Sequence, residues 1–357
     1  MEETRFADIG KREAVARLFA DSPFSGETPL RFETPAKGAR ITHASRLLLE
    51  GIDFDLVYFP LKHLGYKVVV AVTGELYAAL ARPQTLTVVL GISAKLDFAQ
   101  VRELWSGIVA AAREHGYGQV ALDLTPSCNG LTISLSATGQ TELLTDRRRP
   151  APKSKDLLCV SGCLGAAYLG LRLLEREKRT FEAGGPGGGG VAAGGTSTAD
   201  GDGVSRSALE TYRMLVGAYL KPELPAGALA ALEEAGIYPS AGCFITHGLA
   251  DAVKRLALQT GLGAKVYADK IPFEGNSFQL GRELDIDPVS AAMNGGDDFR
   301  ILWAVPILSL EKFRRDFQTF DIIGHLALPE AGTVLVTPDG AELPLRAPGW
   351  PEDAINS

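Results

Sequence analysis

Thr85–Ser93 reads TLTVVLGIS and the segment that follows, Asp97–Gly116, reads DFAQVRELWSGIVAAAREHG. The first is β-branched and apolar, the composition of a strand. In the second, Asp97 is an N-cap candidate. Val101, Leu104, Trp105, Ile108, Val109 and Ala112 then recur at i, i+3, i+4, i+7, i+8 and i+11, one apolar helix face that Gly116 terminates. Gln119–Leu124 is apolar again and predicts a second strand. Strand, helix, strand is the signature of a mixed α/β fold. Working outward, Leu131–Thr138 and Asp156–Val160 predict further strands. The turn Ser161–Gly165 leads into a helix running to about Lys178. Helices are predicted near 206–220, 226–234 and 249–260, the last with Leu249, Val253, Leu256 and Ala257 on one face. Short strands are predicted near 265–267, 300–305, 322–326 and 333–336. The Arg147–Pro152 stretch marks a boundary near residue 150, giving units 1–150 and 151–357. No repeat of fixed period is present.

The chain has 357 residues, 36 basic and 43 acidic, for a net charge of −7. That balance argues against a basic nucleic-acid-binding surface. Hydrophobic residues at 46% and charged residues at 22% are globular rather than disordered proportions. No apolar run approaches the roughly 20 residues that span a bilayer, so no membrane partner is expected. The start, Met1–Arg5, lacks the layout of a signal peptide, and four cysteines do not make a disulfide scaffold. The expectation is a reduced, cytoplasmic, soluble protein. Residues 184–203 hold ten of the forty glycines. With no helix start and no Lys-Ser or Lys-Thr pair after it, this stretch reads as a flexible surface insertion rather than a phosphate cradle.

No Walker loop, G-x-S-x-G elbow or H-E-x-x-H motif occurs, and the five histidines show no zinc-ligand spacing. Cys159 and Cys163 read as small buried thiols. Three segments carry possible chemistry. Leu47–Asp55 (LLLEGIDFD) runs an apolar stretch into a glycine among three carboxylates, which also suits a strand with a charged turn. Asn294–Phe299 (NGGDDF) sets two glycines before two acids, suiting a phosphate, a metal, a polar substrate or a plain turn. Ser161–Gly165 (SGCLG) exposes N–H groups between a strand and a helix, where an anion could sit.

In this order, and together with Phe6–Gly10 (FADIG), Leu64–Lys67 (LGYK), Val160–Leu171, Gly248–Ala250 and Ile323–His325, these segments resemble the thiamine-monophosphate kinase family, within the superfamily that includes aminoimidazole ribonucleotide synthetase. The resemblance runs nearly end to end. It implies a two-domain α/β (α+β type) fold of the aminoimidazole ribonucleotide synthetase kind. Residues 1–150 would be an ATP- and metal-binding, dimerising domain, and residues 151–357 an α/β domain. It implies ATP-dependent phosphorylation of thiamine monophosphate to thiamine diphosphate, with ATP and Mg²⁺ as cofactors, in a cytoplasmic homodimer. Phosphoryl transfer of this kind rests on positioning and charge neutralisation, and Mg²⁺ takes hard oxygen ligands.

Carried over position by position, the family's carboxylates are thinned here. The Gly-Asp-Asp region corresponds to 30–38, which has no acidic pair, and the Thr-Asp motif is Ser45-Arg46. The Asn-Leu-Ser-Asp motif is Val72–Glu75 and the Gly-Gly-Asp-Thr motif is Ala121–Leu124, so Glu75 and Asp123 are the implied catalytic and metal-holding residues. The Gly-Asp after the middle turn is Gly165-Ala166. The Asp-x-Ser-Asp-Gly-Leu motif is Phe244–Leu249, with both acids lost. Asp123, Arg149 and Thr246 are the implied nucleotide contacts; Asp53, Asp297 and Trp350 are the implied substrate contacts. Arginine for aspartate at 46 shifts the local charge by two. A charge pair at about 4 Å is worth roughly 4 kcal/mol at an effective dielectric near 20, so a multi-Mg²⁺ cluster is hard to build. Reduced activity follows. The lost acids also fit an inactive paralogue that binds nucleotide or thiamine phosphates as a regulator, and Asp53 fits a kinase for a different phosphate acceptor.

Overall fold

The computed structural model describes residues 9–25, 30, 39–184 and 208–350. Apart from Gly184, the glycine-rich segment 184–203 lies outside them, as do residues 6–8 and 31–38. In chain order the elements are α1 (Lys11–Ala20), β1 (Arg40–Leu49), α2 (Leu61–Ala78), β2 (Arg82–Ser93), α3 (Phe98–Glu114), β3 (Gln119–Ser127), β4 (Thr132–Thr141), α4 (Leu143–Arg148), β5 (Leu157–Val160), α5 (Ala166–Gly184), α6 (Arg213–Leu220), α7 (Ala228–Ala235), β6 (Ala241–Ile245), α8 (Leu249–Thr260), β7 (Gly263–Tyr267), α9 (Ser277–Leu284), α10 (Pro288–Asn294), β8 (Arg300–Val305), α11 (Leu310–Asp316), β9 (Asp321–Ala327), β10 (Thr333–Val336) and β11 (Glu342–Pro344).

The opening strand–helix–strand forms as expected. Asp97 closes a capping box: its Oδ1 accepts from the Gln100 N–H at 2.7 Å, and Gln100 Oε1 accepts from the Asp97 N–H at 2.9 Å. β2 and β3 pair in parallel, which is why a crossover helix must join them. The first sheet has the order β1-β4-β2-β3 and the second β11-β10-β7-β9-β5-β8-β6. Together they give the two-sheet α/β architecture implied by the resemblance.

α2 has no counterpart among the helices read from the sequence. Fourteen of its 18 residues are buried, so it carries no polar stripe, and its β-branched run Val68–Val72 resembles a strand. The packing explains this. Leu86, Val88, Leu90, Leu122, Leu124, Ile133 and Leu135 on one face of the first sheet join the same core as Leu64, Val68 and Val72 of α2. So do Cys159, Phe244, Ile301, Trp303 and Val305 from one face of the second sheet. The alternate residues of the second sheet, such as Leu158, Ile245, Leu302 and Leu326, pack instead against Leu249, Val253 and Leu256 of α8. α2 is thus the filling between two sheets, and a helix enclosed on all sides is apolar all round. Among the described residues no helix is long and apolar enough to cross a membrane.

α2 and α3 cross at backbone contact. A Cβ on Gly65 would lie 2.0 Å from the Leu104 carbonyl oxygen, and one on Gly107 would lie 2.0 Å from that of Lys62. Neither carbonyl can yield without shifting a helix. Gly107→Ala is expected to lower stability by ~1–3 kcal/mol, the usual cost of overpacking, read from urea unfolding beside Ser106→Ala as a control. Unchanged stability would show that the helices separate freely.

Candidate functional site

Lys67 lies on α2 and is 1% exposed. Its Nζ donates to Asp297 Oδ2 at 2.9 Å and stands 3.6 Å from the Tyr219 ring centroid, with Phe59 and Phe299 at 5.4 and 5.5 Å. Burial pulls its pKa down, and Asp297 opposes that most strongly. The neighbouring acid, Asp298, turns away to the start of α5. It accepts from the N–H groups of Gly165 at 2.8 Å and Ala167 at 3.2 Å. The backbone swings this sharply because Gly296, Asp297 and Phe299 all have positive φ (82°, 62° and 48°), while the Asp297 N–H is tied to the Thr246 carbonyl at 2.8 Å. Two of the open readings thereby resolve into one contact. The acceptor at the Ser161–Gly165 turn is the chain's own Asp298 carboxyl, and the acid pair of Asn294–Phe299 is engaged by Lys67 and α5.

Asp53 and Asp297 line one cavity of about 450 Å³, with Asp55, Tyr58, Glu175, Lys178 and Tyr219. Asp53 Oδ2 also accepts from the Leu49 N–H at 2.7 Å, which braces the turn after β1. Lys178 reaches Asp55 at 2.5 Å, so α5 and the 51–58 loop are clasped across the cavity mouth. Trp350, expected at the same place, is not there. Its Nε1 donates to Asp251 Oδ1 at 2.9 Å and its ring lies 5.4 Å from Lys254 Nζ, against α8.

A second cavity, about 550 Å³, is lined by Arg46 and Ser45 of β1, Ala71, Glu75 and Ala78 of α2, Arg149, Cys243 of β6, and Arg255 and Gln259 of α8. Arg255 is held on three sides. Its Nε donates to Asp251 Oδ2 at 2.9 Å, its Nη2 to the Phe244 carbonyl at 2.5 Å, and its Nη1 lies 3.8 Å from Glu75 Oε1. Burial raises the Glu75 pKa, against the pull of Arg255 and then Arg46. Arg149 donates from Nε to the Ser240 carbonyl at 3.2 Å. Thr246 lines neither cavity. It is buried, with Oγ1 3.0 Å from His247 Nδ1, and acts through its carbonyl on Asp297.

Glu75 and Asp123, expected to share an ion, are not brought together. Asp123 alternates on β3 with the core residues Leu122 and Leu124, so it points to the face away from α2, where it pairs with Lys11. Glu75 is on α2, inside the arginine-lined cavity. Phe244, at a position the resemblance matches to an aspartate, is fully buried and stacked on Phe299 at 5.6 Å. Among the described residues no group of three or more His, Cys, Asp or Glu side chains could hold a metal ion. The donor set does not fit Mg²⁺: the one carboxylate in the cavity is shared with guanidinium groups. Sequence reasoning missed Lys67 and Arg255. The i, i+4 pair Asp251–Arg255 on an amphipathic helix was the available signal for the second; the first lay in the Leu64–Lys67 segment of the resemblance, with no role attached to it.

No family model matches the chain. It is 24% identical over 317 residues to the thiamine-monophosphate kinase of Synechococcus elongatus, spanning 87% of this chain and 88% of that one. Among solved structures it superposes on the thiamine-monophosphate kinase of Stenotrophomonas maltophilia with a TM-score of 0.67 at 21% identity, covering 92% of this chain and 96% of that one. AaThiL complexed with AMPPCP and TMP gives 0.66 at 19% identity, covering 96% and 97%. The fold is shared with these proteins.

Burial pushes the Asp298 pKa from 3.8 up to about 7. The folded chain therefore holds this proton where the unfolded chain has released it. The contribution to stability is complete below about pH 4 and falls as pH rises through about 7, by at most ~1.4 kcal/mol per pH unit. The stability difference between the natural chain and Asp298→Asn, from denaturant unfolding, is expected to shrink between about pH 4.5 and 7.5. A difference constant with pH would show that Asp298 stays ionised.

Proposed function

We propose that the chain, a divergent relative of the thiamine-monophosphate kinases, binds ATP in the arginine-lined cavity. Thiamine monophosphate or a related phosphate compound would occupy the cavity at Asp53 and Asp297, with slow phosphoryl transfer between them. The observation that carries this reading is a pair of cavities joined through α2. Ala71, Glu75 and Ala78 of α2 line the second, and Lys67, roughly 12 Å before Glu75 along the helix, holds the Asp297 that lines the first. That is an arrangement for two ligands: of the contacts the resemblance implies, Asp53 and Asp297 line the first cavity and Arg149 the second. Residues 1–150 and 151–357 would then meet across the α2 layer.

Asp297, one-third exposed and fixed by Lys67, offers an acceptor to a ligand hydroxyl or amine. Arg149 and Arg255 offer donors to phosphate. Phe244 lies against α2 at Gly74, and Phe299, stacked on it, stands 5.5 Å from Lys67 Nζ, so the pair borders the stretch of α2 from Lys67 to Gly74. A dry aromatic pair there replaces charge that would stabilise a transferring phosphoryl group. Loss of such stabilisation costs about 10²–10³ in rate. Calorimetry is expected to show binding of ATP and of thiamine monophosphate, with thiamine diphosphate formed about 10²–10³-fold more slowly than by a kinase retaining the carboxylates. Absence of binding by both ligands would sink the proposal. The guanidinium groups around Glu75 favour a second reading, binding without transfer. Binding of both ligands with no thiamine diphosphate above a protein-free blank would select it.

The homodimer implied by the resemblance would use the open face of the first sheet. Ile41 and Leu47 there are 53% and 55% exposed, and they alternate with the core-facing Ala44 and Leu48. Sedimentation is expected to show a dimer that Leu47→Glu converts to monomer. A monomeric natural chain would reject this interface.

A further inference from the structure

We propose that Arg46, Arg149 and Arg255 hold the phosphate groups of the ligand in the second cavity directly, without a divalent cation. This deepens the reading of that cavity as a nucleotide site and rests on it. A kinase of the resembling kind brings Mg²⁺ to its carboxylates. Here three guanidinium groups line a cavity whose lining holds one carboxylate, Glu75, so the protein itself carries the positive charge.

The three arginines come from different places, β1, the residue directly after α4, and α8, and converge on one space. Convergence from separate elements is harder to attribute to a solvated charge run than neighbours on one helix would be. Two of the groups are oriented in advance. Arg255 is set by Asp251, the Phe244 carbonyl and Glu75, and Arg149 by the Ser240 carbonyl. Trp350 donates to the other oxygen of Asp251, so that carboxylate is itself fixed. An oriented guanidinium loses little freedom when it meets a phosphate, and its planar fork matches two phosphate oxygens. Arg46 stands at the position where the resemblance calls for an aspartate. A cation there disfavours Mg²⁺ and favours the anion that Mg²⁺ would have bridged. Ser45, Thr42 and Gln259 add neutral hydrogen-bonding groups to the same lining.

The test is calorimetric titration of the full chain with ATP, inorganic pyrophosphate and adenosine, each with Mg²⁺ and with excess EDTA. ATP and pyrophosphate are expected to bind in EDTA within about threefold of their affinity in Mg²⁺, and adenosine at least about tenfold more weakly than ATP, since the charged contacts are to phosphate. Arg46→Ser and Arg46→Asp are each expected to weaken metal-free ATP binding by about tenfold or more. Arg102→Ser, which removes an exposed guanidinium of α3 outside the cavity, should leave it unchanged. Melting curves check that the variants fold. Binding that EDTA abolishes, or that the Arg46 variants leave intact, would overturn the inference. Pyrophosphate bound in EDTA with ATP excluded would uphold the arginine site while rejecting the nucleotide reading. No binding by ATP or pyrophosphate under either condition would reject both.

Discussion

A lysine ammonium taken out of water must find its compensation inside the protein, and the arrangement around Lys67 follows from that requirement. An isolated buried charge costs many kcal/mol. Asp297 supplies the counter-charge and Tyr219 an aromatic face, from two parts of the chain far beyond residue 150. For Asp297 to arrive, Gly296, Asp297 and Phe299 take left-handed conformations, and this sends Asp298 to the start of α5. One buried charge on the helix between the sheets thus fixes the turn after α10, the origin of α5 and the wall of the first cavity.

The second cavity shows the opposite economy of charge. A metal site gathers carboxylates and lets an external cation neutralise them. Here Arg255, a cation that cannot leave, pairs with both Glu75 and Asp251, and Arg46 adds to the charge facing Glu75. The same arginine is tied to the carbonyl of Phe244, so the buried aromatic at 244 and the fixed guanidinium at 255 belong to one local structure.

Much of the fold was legible because it is amphipathic. The β2–α3–β3 unit has one wet side and one dry side, and Asp97 marks a helix start in any context. α2 was not legible because both sides are dry, and its valines favour the wrong periodicity. β6 is five residues with a glycine and no alternation to read. At the site, Asp53 and Asp297 could be placed together through the resemblance, and they do share a cavity. Trp350 and Thr246 could not, since their positions depend on where β6 and α8 lie. Lys67 and Asp297 are 230 residues apart, and no local pattern announces such a pair. Glu75 and Asp123 looked equivalent as surviving acids; the pleat of β3 and the position of α2 put a sheet between them.

Phe244 has a consequence for any change made at this site. Its ring occupies the space that a Cβ on Gly74 would need, with a contact of 2.0 Å, and it stacks on Phe299 within the central core. An aspartate placed at 244 would bury an acid in the core and leave a void beside Gly74. The cost of that void and of the buried acid would fall on the whole fold. A metal-binding site therefore cannot be built at this position by one substitution, because the same change that adds an oxygen ligand empties part of the central core.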